Sequence, residues 1–195
     1  MLTGHLWVLT VQYDFRDVGP SVPFHEDIAW MNWWGVTTGY TDGTYRPYTK
    51  VSRGQMAAFL YRFYFDDPIS CAAGARVFSD IPRTHPFCGE IEWLASTGIT
   101  TGYTDGTYRP FTTVSRQHMA AFLYRAVGPD EQATCTGSAR DFSDVPTSHP
   151  FCGEIEWLAS TGITTGYTDG TFRPLTHINR GQMSAFLFRT WQWPS

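Results

Sequence analysis

Gly98-Ile99-Thr100-Thr101-Gly102-Tyr103-Thr104-Asp105-Gly106-Thr107-Tyr108-Arg109-Pro110 occurs three times in this chain. Gly162–Pro174 repeats it with Phe172 in place of Tyr108, and Gly35–Pro47 repeats it with Val36 in place of Ile99. A helix-like segment precedes and follows every copy. Such a unit is a supersecondary module that cannot bury its apolar face alone, so the copies are expected to pack on one another.

Working outward, copy one spans 13–62, copy two 76–125 and copy three 140–189. Residues 1–12 match nothing in the later copies and read as an extended lead-in or a truncated end. Asp17, Asp80 and Asp144 correspond, which gives a period of 63 and then 64, with the extra residue in the second linker. Each copy opens on Phe-x-Asp (Phe15, Phe78 or Phe142), a turn signal. A first helix follows, with Phe87, Ile91, Leu94 and Ala95 on one face in copy two. Phe24, Ile28, Met31 and Asn32 form that face in copy one, and Phe151, Ile155, Leu158 and Ala159 in copy three. Gly35, Gly98 and Gly162 sit where a left-handed residue stops a helix, and Val36, Ile99 and Ile163 then return to the core. Asp-Gly makes a tight turn, and Pro47, Pro110 and Pro174 hold its exit extended. Ser52, Ser115 and Asn179 are N-caps of the second helix. Gln55 and Gln182 complete capping boxes, and His118 makes that of copy two weaker. Met56, Phe59, Leu60 and Phe63 form the buried stripe of this helix, echoed by Met119, Phe122 and Leu123 and by Met183, Phe186 and Leu187. The linkers, 63–75 and 126–139, read as loops. The fold class is mainly α, three helix-loop-helix repeats in one composite domain.

Composition narrows the partner class. The net charge is −4, only 16% of residues are charged and 16% are aromatic, with no basic stripe. Nucleic acid is therefore a poor partner, and neutral polar ligands such as sugars suit the Gly-, Thr- and Tyr-rich surface. Leu6–Leu9 is too short to span a membrane and lacks the flanks of a signal peptide, so an export signal or a fused upstream domain is expected outside this sequence.

Cys71 and Cys88 are 17 residues apart, as are Cys135 and Cys152. Copy one carries Val8 and His25 at the equivalent places. Joint presence and joint absence argue for the pairs Cys71–Cys88 and Cys135–Cys152, and hence for an oxidising, extracytoplasmic setting. The rival is zinc, with His85 or His149 joining the thiols of its copy. Three ligands without a CxxC spacing fit that poorly, so neither a metal nor a cofactor is expected.

The order Phe-x-Asp, helix, Gly-Ile-Thr-x-Gly, Asp-Gly-Thr-Phe/Tyr-x-Pro, Ser/Asn-Arg, helix resembles the S-layer homology domain over three full copies. The resemblance implies a pseudo-threefold bundle. It also implies non-covalent anchoring of exported proteins, at the cell surface or in the wall, to a bacterial secondary cell-wall polymer, an anionic or acetylated glycan. The family's Thr-Arg-Ala-Glu motif reads here Ser52-Arg53-Gly54-Gln55, Ser115-Arg116-Gln117-His118 and Asn179-Arg180-Gly181-Gln182. The arginine is kept and the acid is not. Phe24, Phe87 and Phe151 stand where the family has Trp near the first helix. These departures resemble an actinobacterial-like subtype and suggest a sugar other than the anionic pyruvylated one that the resemblance implies for the family's better-known members.

Arg53, Arg116 and Arg180 open a helix, where a cation gains nothing from the dipole. A carboxylate ligand wanting a planar fork explains them, helped by free amides at the helix start. A structural tie to a neighbouring copy explains them equally. Trp30, Trp93 and Trp157 lie off the core face, either stacking on sugar rings or packing between copies. Tyr40, Tyr103 and Tyr167, with Thr38, Thr101 and Thr165, are placed to line a groove between copies or plain surface. Asp42, Asp105 and Asp169 supply one carboxylate per loop, too few for calcium, and read as turn formers. Asp17, Asp80 and Asp144 are expected to cap amides locally. No enzyme emerges. Glu90 with Glu92, and Glu154 with Glu156, are i and i+2 on a helix and do not face each other, and no nucleophile elbow is present. The expected function is a wall-anchoring module. The alternative is a structural or self-assembling surface module without glycan binding.

Overall fold

The computed structural model describes residues 15–72, 76–129, 131–136 and 142–193. The 1–12 lead-in, and with it Val8, lies outside these. Six helices run in pairs: α1 (His25–Trp33) with α2 (Arg53–Tyr64), α3 (Cys88–Ser96) with α4 (Arg116–Val127), and α5 (Cys152–Ser160) with α6 (Arg180–Gln192). Among the described residues no strand forms and no helix is long and apolar enough to cross a membrane.

The helix boundaries follow from local chemistry. Gly35, Gly98 and Gly162 take φ of 68°, 75° and 73°, the left-handed turn that lets the chain leave each first helix. Two residues on, the amides of Thr37, Thr100 and Thr164 donate to the carbonyls of Met31, Leu94 and Leu158, so orphan helix carbonyls are satisfied inside the fold. Val36, Ile99 and Ile163 then plug the core, each almost fully buried. Ser52 with Gln55, and Asn179 with Gln182, form complete capping boxes. In α4 the Ser115 hydroxyl meets the imidazole Nδ1 of His118 at 3.0 Å instead, and no side-chain cap bond forms.

One side chain per copy holds the loop, and not in the way expected. The carboxylate of Asp80 accepts the backbone amides of Tyr108 and Arg109, both at 2.7 Å. Asp17 does the same for Tyr45 and Arg46, and Asp144 for Phe172 and Arg173. The capping is long-range, 28 and 29 residues along the chain. It positions Arg46, Arg109 and Arg173, which adopt φ near 57–59°, a conformation that costs a non-glycine residue energy. The second loop carboxylate, Asp105, accepts from Thr107 N and Oγ1 and from the Arg109 guanidinium at 2.8 Å. Asp42 and Asp169 repeat this, so these acids form turns.

The copies close on each other cyclically. The amide of Val51 donates to Ile178, that of Ile178 to Val114, and that of Val114 back to Val51, at 3.1, 3.0 and 2.9 Å. Each second helix packs on the first helix of the following copy: α2 on α3, α4 on α5, and α6 back on α1. The core is shared across all three copies, with Met56, Met119 and Met183 completely buried within it.

Two departures from the expected helix faces stand out. Phe24 is 36% exposed at φ 65°, so copy one's face reduces to Ile28 and Met31. Phe87 and Phe151 are half-buried at the N-cap positions and not inside the first helices. The second helices also run slightly past the expected limits, to Tyr64 and Val127.

Disulfides join Cys71 to Cys88 and Cys135 to Cys152, with Cα–Cα distances of 5.1 and 5.3 Å. Each ties a linker to the first turn of α3 or α5. The linker lies so close that a Cβ at Gly89 would meet the carbonyl oxygen of Ile69 at 2.8 Å. Glu92 and Glu156 fix the same straps by accepting the amides of Ala72 and Thr136.

Two outcomes are expected. Replacing Cys71 and Cys88 together by Ala lowers unfolding free energy in urea by about 3 kcal/mol, the chain-entropy value for a loop of this size. The carboxyl of Asp105, held down by its bonds to Thr107 and then Arg109, titrates at about 2 by carbon-13 NMR. Because that folded value lies below the ordinary carboxylate value, the turn's contribution is complete above the ordinary value and is lost as pH falls toward 2. Thr107→Val moves the midpoint up.

Candidate functional site

Three pseudo-equivalent grooves are built where the copies meet, and each draws residues from all three. In the first, Thr37, Thr38 and Tyr40 of the loop and Gln55, Phe59 and Arg62 of α2 face Arg180 of copy three and Phe87 of copy two. In the second, Thr100, Thr101, Tyr103, His118, Phe122 and Arg125 of copy two face Arg53 and Phe151. In the third, Thr164, Thr165, Tyr167, Gln182, Phe186 and Arg189 face Arg116 and Phe24. Their volumes are about 260, 210 and 190 Å³. Two guanidinium groups enter each groove, and no carboxylate lines any of them.

The arginine at each helix start is held by a two-way clamp. Arg53 Nε donates to the carbonyl of Tyr108 at 2.7 Å, and the Tyr108 hydroxyl donates back to the carbonyl of Arg53 at 2.8 Å. Arg180 and Tyr45 repeat both bonds at 2.6 and 2.9 Å. Arg116 keeps the first, to Phe172 at 2.6 Å, while Phe172 has no hydroxyl to return the second. Each guanidinium also lies over aromatic rings. Arg53 is 4.5 Å from the Tyr108 centroid and 5.1 Å from that of Tyr103, distances at which the ring quadrupole attracts a cation. The structural tie is therefore formed in all three copies, with both bonds for Arg53 and Arg180 and one for Arg116.

These arginines are 8%, 5% and 4% exposed for Arg53, Arg116 and Arg180. Among the described residues, none has a carboxylate within ion-pair distance and only their Nε atoms make side-chain hydrogen bonds. Burial pushes the Arg116 and Arg180 pKa values down. The loop arginines behave oppositely: Arg46, Arg109 and Arg173 are paired with Asp42, Asp105 and Asp169 at 2.8 Å. They also cover Tyr40, Tyr103 and Tyr167 at 3.9 Å, so each groove tyrosine lies between two cations.

The helix-start amides are already engaged. Arg53 N donates to Thr112 O and Gly54 N to Pro110 O, and the later copies repeat the pattern through Thr176, Pro174, Thr49 and Pro47. With these amides turned to the neighbouring copy, the charge in the grooves comes from side chains.

Trp30, Trp93 and Trp157 lie elsewhere. Trp93 packs edge-on against Tyr61 and Phe65 at the α2–α3 contact. Trp157 does so against Tyr124 and Trp193, and Trp30 packs edge-on against Phe188 and tilted against Trp191. They fill the interfaces between copies and do not line the grooves.

Arg62, Arg125 and Arg189 were not singled out by sequence reasoning, although an arginine recurs nine residues past each helix-start arginine. Arg125 and Arg189 are exposed and reach the carbonyls of Ile99 and Ile163 at 3.5 and 3.4 Å. Arg62 stands 4.0 Å from Glu90. Glu90 is buried, and that burial raises its pKa, whereas Glu92 holds the linker, so the two acids diverge. Cys71, Cys88 and Glu92 are close enough to share an ion, as are Cys135, Cys152 and Glu156. In both groups the sulfurs are bonded to each other, which removes the thiolates a metal would need.

A family model described as the S-layer homology domain matches residues 14–57, 77–120 and 141–184. The chain is 32% identical over 158 residues to "Cell surface glycoprotein 1" of Acetivibrio thermocellus, covering 77% of this chain and 7% of that protein. It is 27% identical over 88 residues to the "Cellulosome-anchoring protein" of the same organism, covering 45% and 20%. It is 35% identical over 103 residues to the "Amylopullulanase" of Thermoanaerobacterium thermosulfurigenes, covering 52% and 5%. The chain thus spans a fifth or less of the length of these relatives.

Tyr108→Phe, which recreates the copy-three arrangement, leaves the Arg53 carbonyl without its buried donor. The expected loss is about 1–2 kcal/mol of stability in urea unfolding, with no change in secondary structure by circular dichroism.

Proposed function

The chain belongs to the S-layer homology family, and from that premise we propose that it is a non-catalytic anchoring module that holds its parent protein to a bacterial cell wall, outside the cell. Its ligand is an anionic stretch of a secondary wall polysaccharide. The observation that carries this is the set of buried guanidinium groups of Arg53, Arg116 and Arg180, which have no carboxylate partner among the described residues. A buried charge without a partner is unfavourable, and an anion entering the groove supplies the partner. Arg forks suit carboxylate and phosphate. The second arginine of each groove and the half-buried tyrosines Tyr40, Tyr103 and Tyr167 complete a pocket for a charged sugar.

Trp30, Trp93 and Trp157 are left out of the ligand set because interfaces between copies occupy them. Three grooves on one polymer add avidity without new contacts. The names of the relatives fit a portable anchor, since one is a surface glycoprotein, one an anchoring protein and one an amylopullulanase. Phe24, Phe87 and Phe151 at the groove edges, and Gln55, His118 and Gln182 where the family has an acid, support an actinobacterial-like subtype with a sugar other than the pyruvylated one.

A second reading, side-by-side assembly, is favoured by Tyr48, Phe111 and Leu175. All three follow the loop proline and are exposed. It predicts concentration-dependent oligomers in sedimentation.

The test of the first reading is co-sedimentation with purified walls of the producing bacterium before and after their secondary polymers are removed. Retention is expected on intact walls only, and equal retention on stripped walls would reject the polymer. Arg125→Ala with Arg189→Ala removes exposed groove cations without touching the clamp. Wall affinity is expected to fall at least about tenfold, the effect of losing one charge-assisted contact, with an unchanged melting temperature.

A further inference from the structure

The three grooves share one plan and differ in a single polar position. Three residues past each helix N-cap stand Gln55, His118 and Gln182. The glutamines turn back to cap their own helices, bonding the amides of Ser52 and Asn179. An imidazole is too short and rigid for that, and His118 instead meets the Ser115 hydroxyl through Nδ1 at 3.0 Å. Its ring stands edge-on to Phe151, with centroids 5.4 Å apart at 85°. This fixes the ring in the second groove and leaves Nε2 as its remaining hydrogen-bonding atom. The charged and titratable groups around it are Arg53 from α2, Tyr103 from the loop of copy two, Arg125 from α4 and His177 from the segment before α6. No carboxylate lines this groove.

We propose that His118 is the specificity-determining contact of the second groove, its Nε2 donating to the anionic group of the sugar beside Arg53 and Arg125, so that this groove prefers a charged sugar over the other two and does so more strongly in mild acid. The inference rests on the reading of the grooves as anion sites. In the free protein, burial first, and then Arg53 and His177, hold the His118 pKa below the ordinary histidine value. The ring is therefore neutral near pH 7. A bound anion offsets the neighbouring positive charge and raises the pKa, so binding takes up a proton. By linkage, affinity climbs as pH falls through the pKa of the complex and levels off below that of the free protein. One proton limits the slope to about tenfold per pH unit. For the free fold the sign is opposite: a depressed histidine pKa stabilises the protein at neutral pH, and that contribution shrinks as pH falls below the ordinary histidine value.

The experiment is a titration of the whole chain with glucuronate, a carboxylated sugar whose charge is constant from about pH 5 to pH 8. Nitrogen–proton NMR reads the amides of Thr38, Thr101 and Thr165, one per groove. The expected result is a Thr101 affinity that rises several-fold from pH 7.5 to 5.5, while Thr38 and Thr165 change little. His118→Gln, which installs the residue of the other two grooves, is expected to flatten the Thr101 profile and leave the fold intact. Shifts at all three amides with matching pH profiles in the wild type and the variant would overturn the role of His118 alone. No shift at any of the three would overturn the anion reading and this inference with it.

Discussion

Three backbone hydrogen bonds, from Val51 to Ile178, Ile178 to Val114 and Val114 to Val51, close a ring at the centre of this protein. Each bond joins two copies, so no copy satisfies its own central segment alone. The amides that begin the second helices follow the same rule, since they end on carbonyls next to the neighbouring copy's loop proline. Buried backbone groups left unpaired are costly. The loops, the helix starts and the grooves therefore form together or not at all. Because each groove takes residues from three copies, the grooves exist only in the closed ring.

The helix-start arginines join that architecture to chemistry. Nε holds a neighbouring carbonyl, and the rest of the guanidinium lies over three rings and borders a groove without a carboxylate. A lysine offers a single charged centre and cannot divide its donors between two tasks in this way. The loop arginines show the contrast: Arg46, Arg109 and Arg173 sit on the surface with aspartate partners. The same residue type thus serves the turn when paired and exposed, and the groove when unpaired and buried.

Much of this was legible in the sequence because the relevant chemistry is local. The left-handed glycines, the plug residues, the capping boxes and the weaker cap at His118 all involve residues within four positions of each other. The cysteine pairing was legible because copy one lacks both partners. What escaped has a common cause. Asp80 reaches across 28 residues to hold Tyr108, and a reading of short spacings assigned it a local task. Trp93 faces away from its own helix's core because the preceding copy supplies the wall it packs on. Arg125 recurs in register with Arg62 and Arg189, yet its position on a polar helix face carried no sign of a groove until Arg53 and Phe151 arrived from other copies. The family model and the resemblance agree on the repeats, which a pattern repeated three times makes hard to miss.

The return of α6 onto α1 has a genetic consequence. Tandem repeats usually lengthen or shorten by whole units, because each new unit stacks on an open end. Here the last unit meets the first, and no end remains to extend. A duplication within this gene would yield a fourth copy with no place in the ring, and a deletion would leave two copies facing an empty third. Unequal recombination is therefore a hazard, even though residues 85–107 and 149–171 are identical and invite it. The number of copies in one ring is fixed by geometry at three.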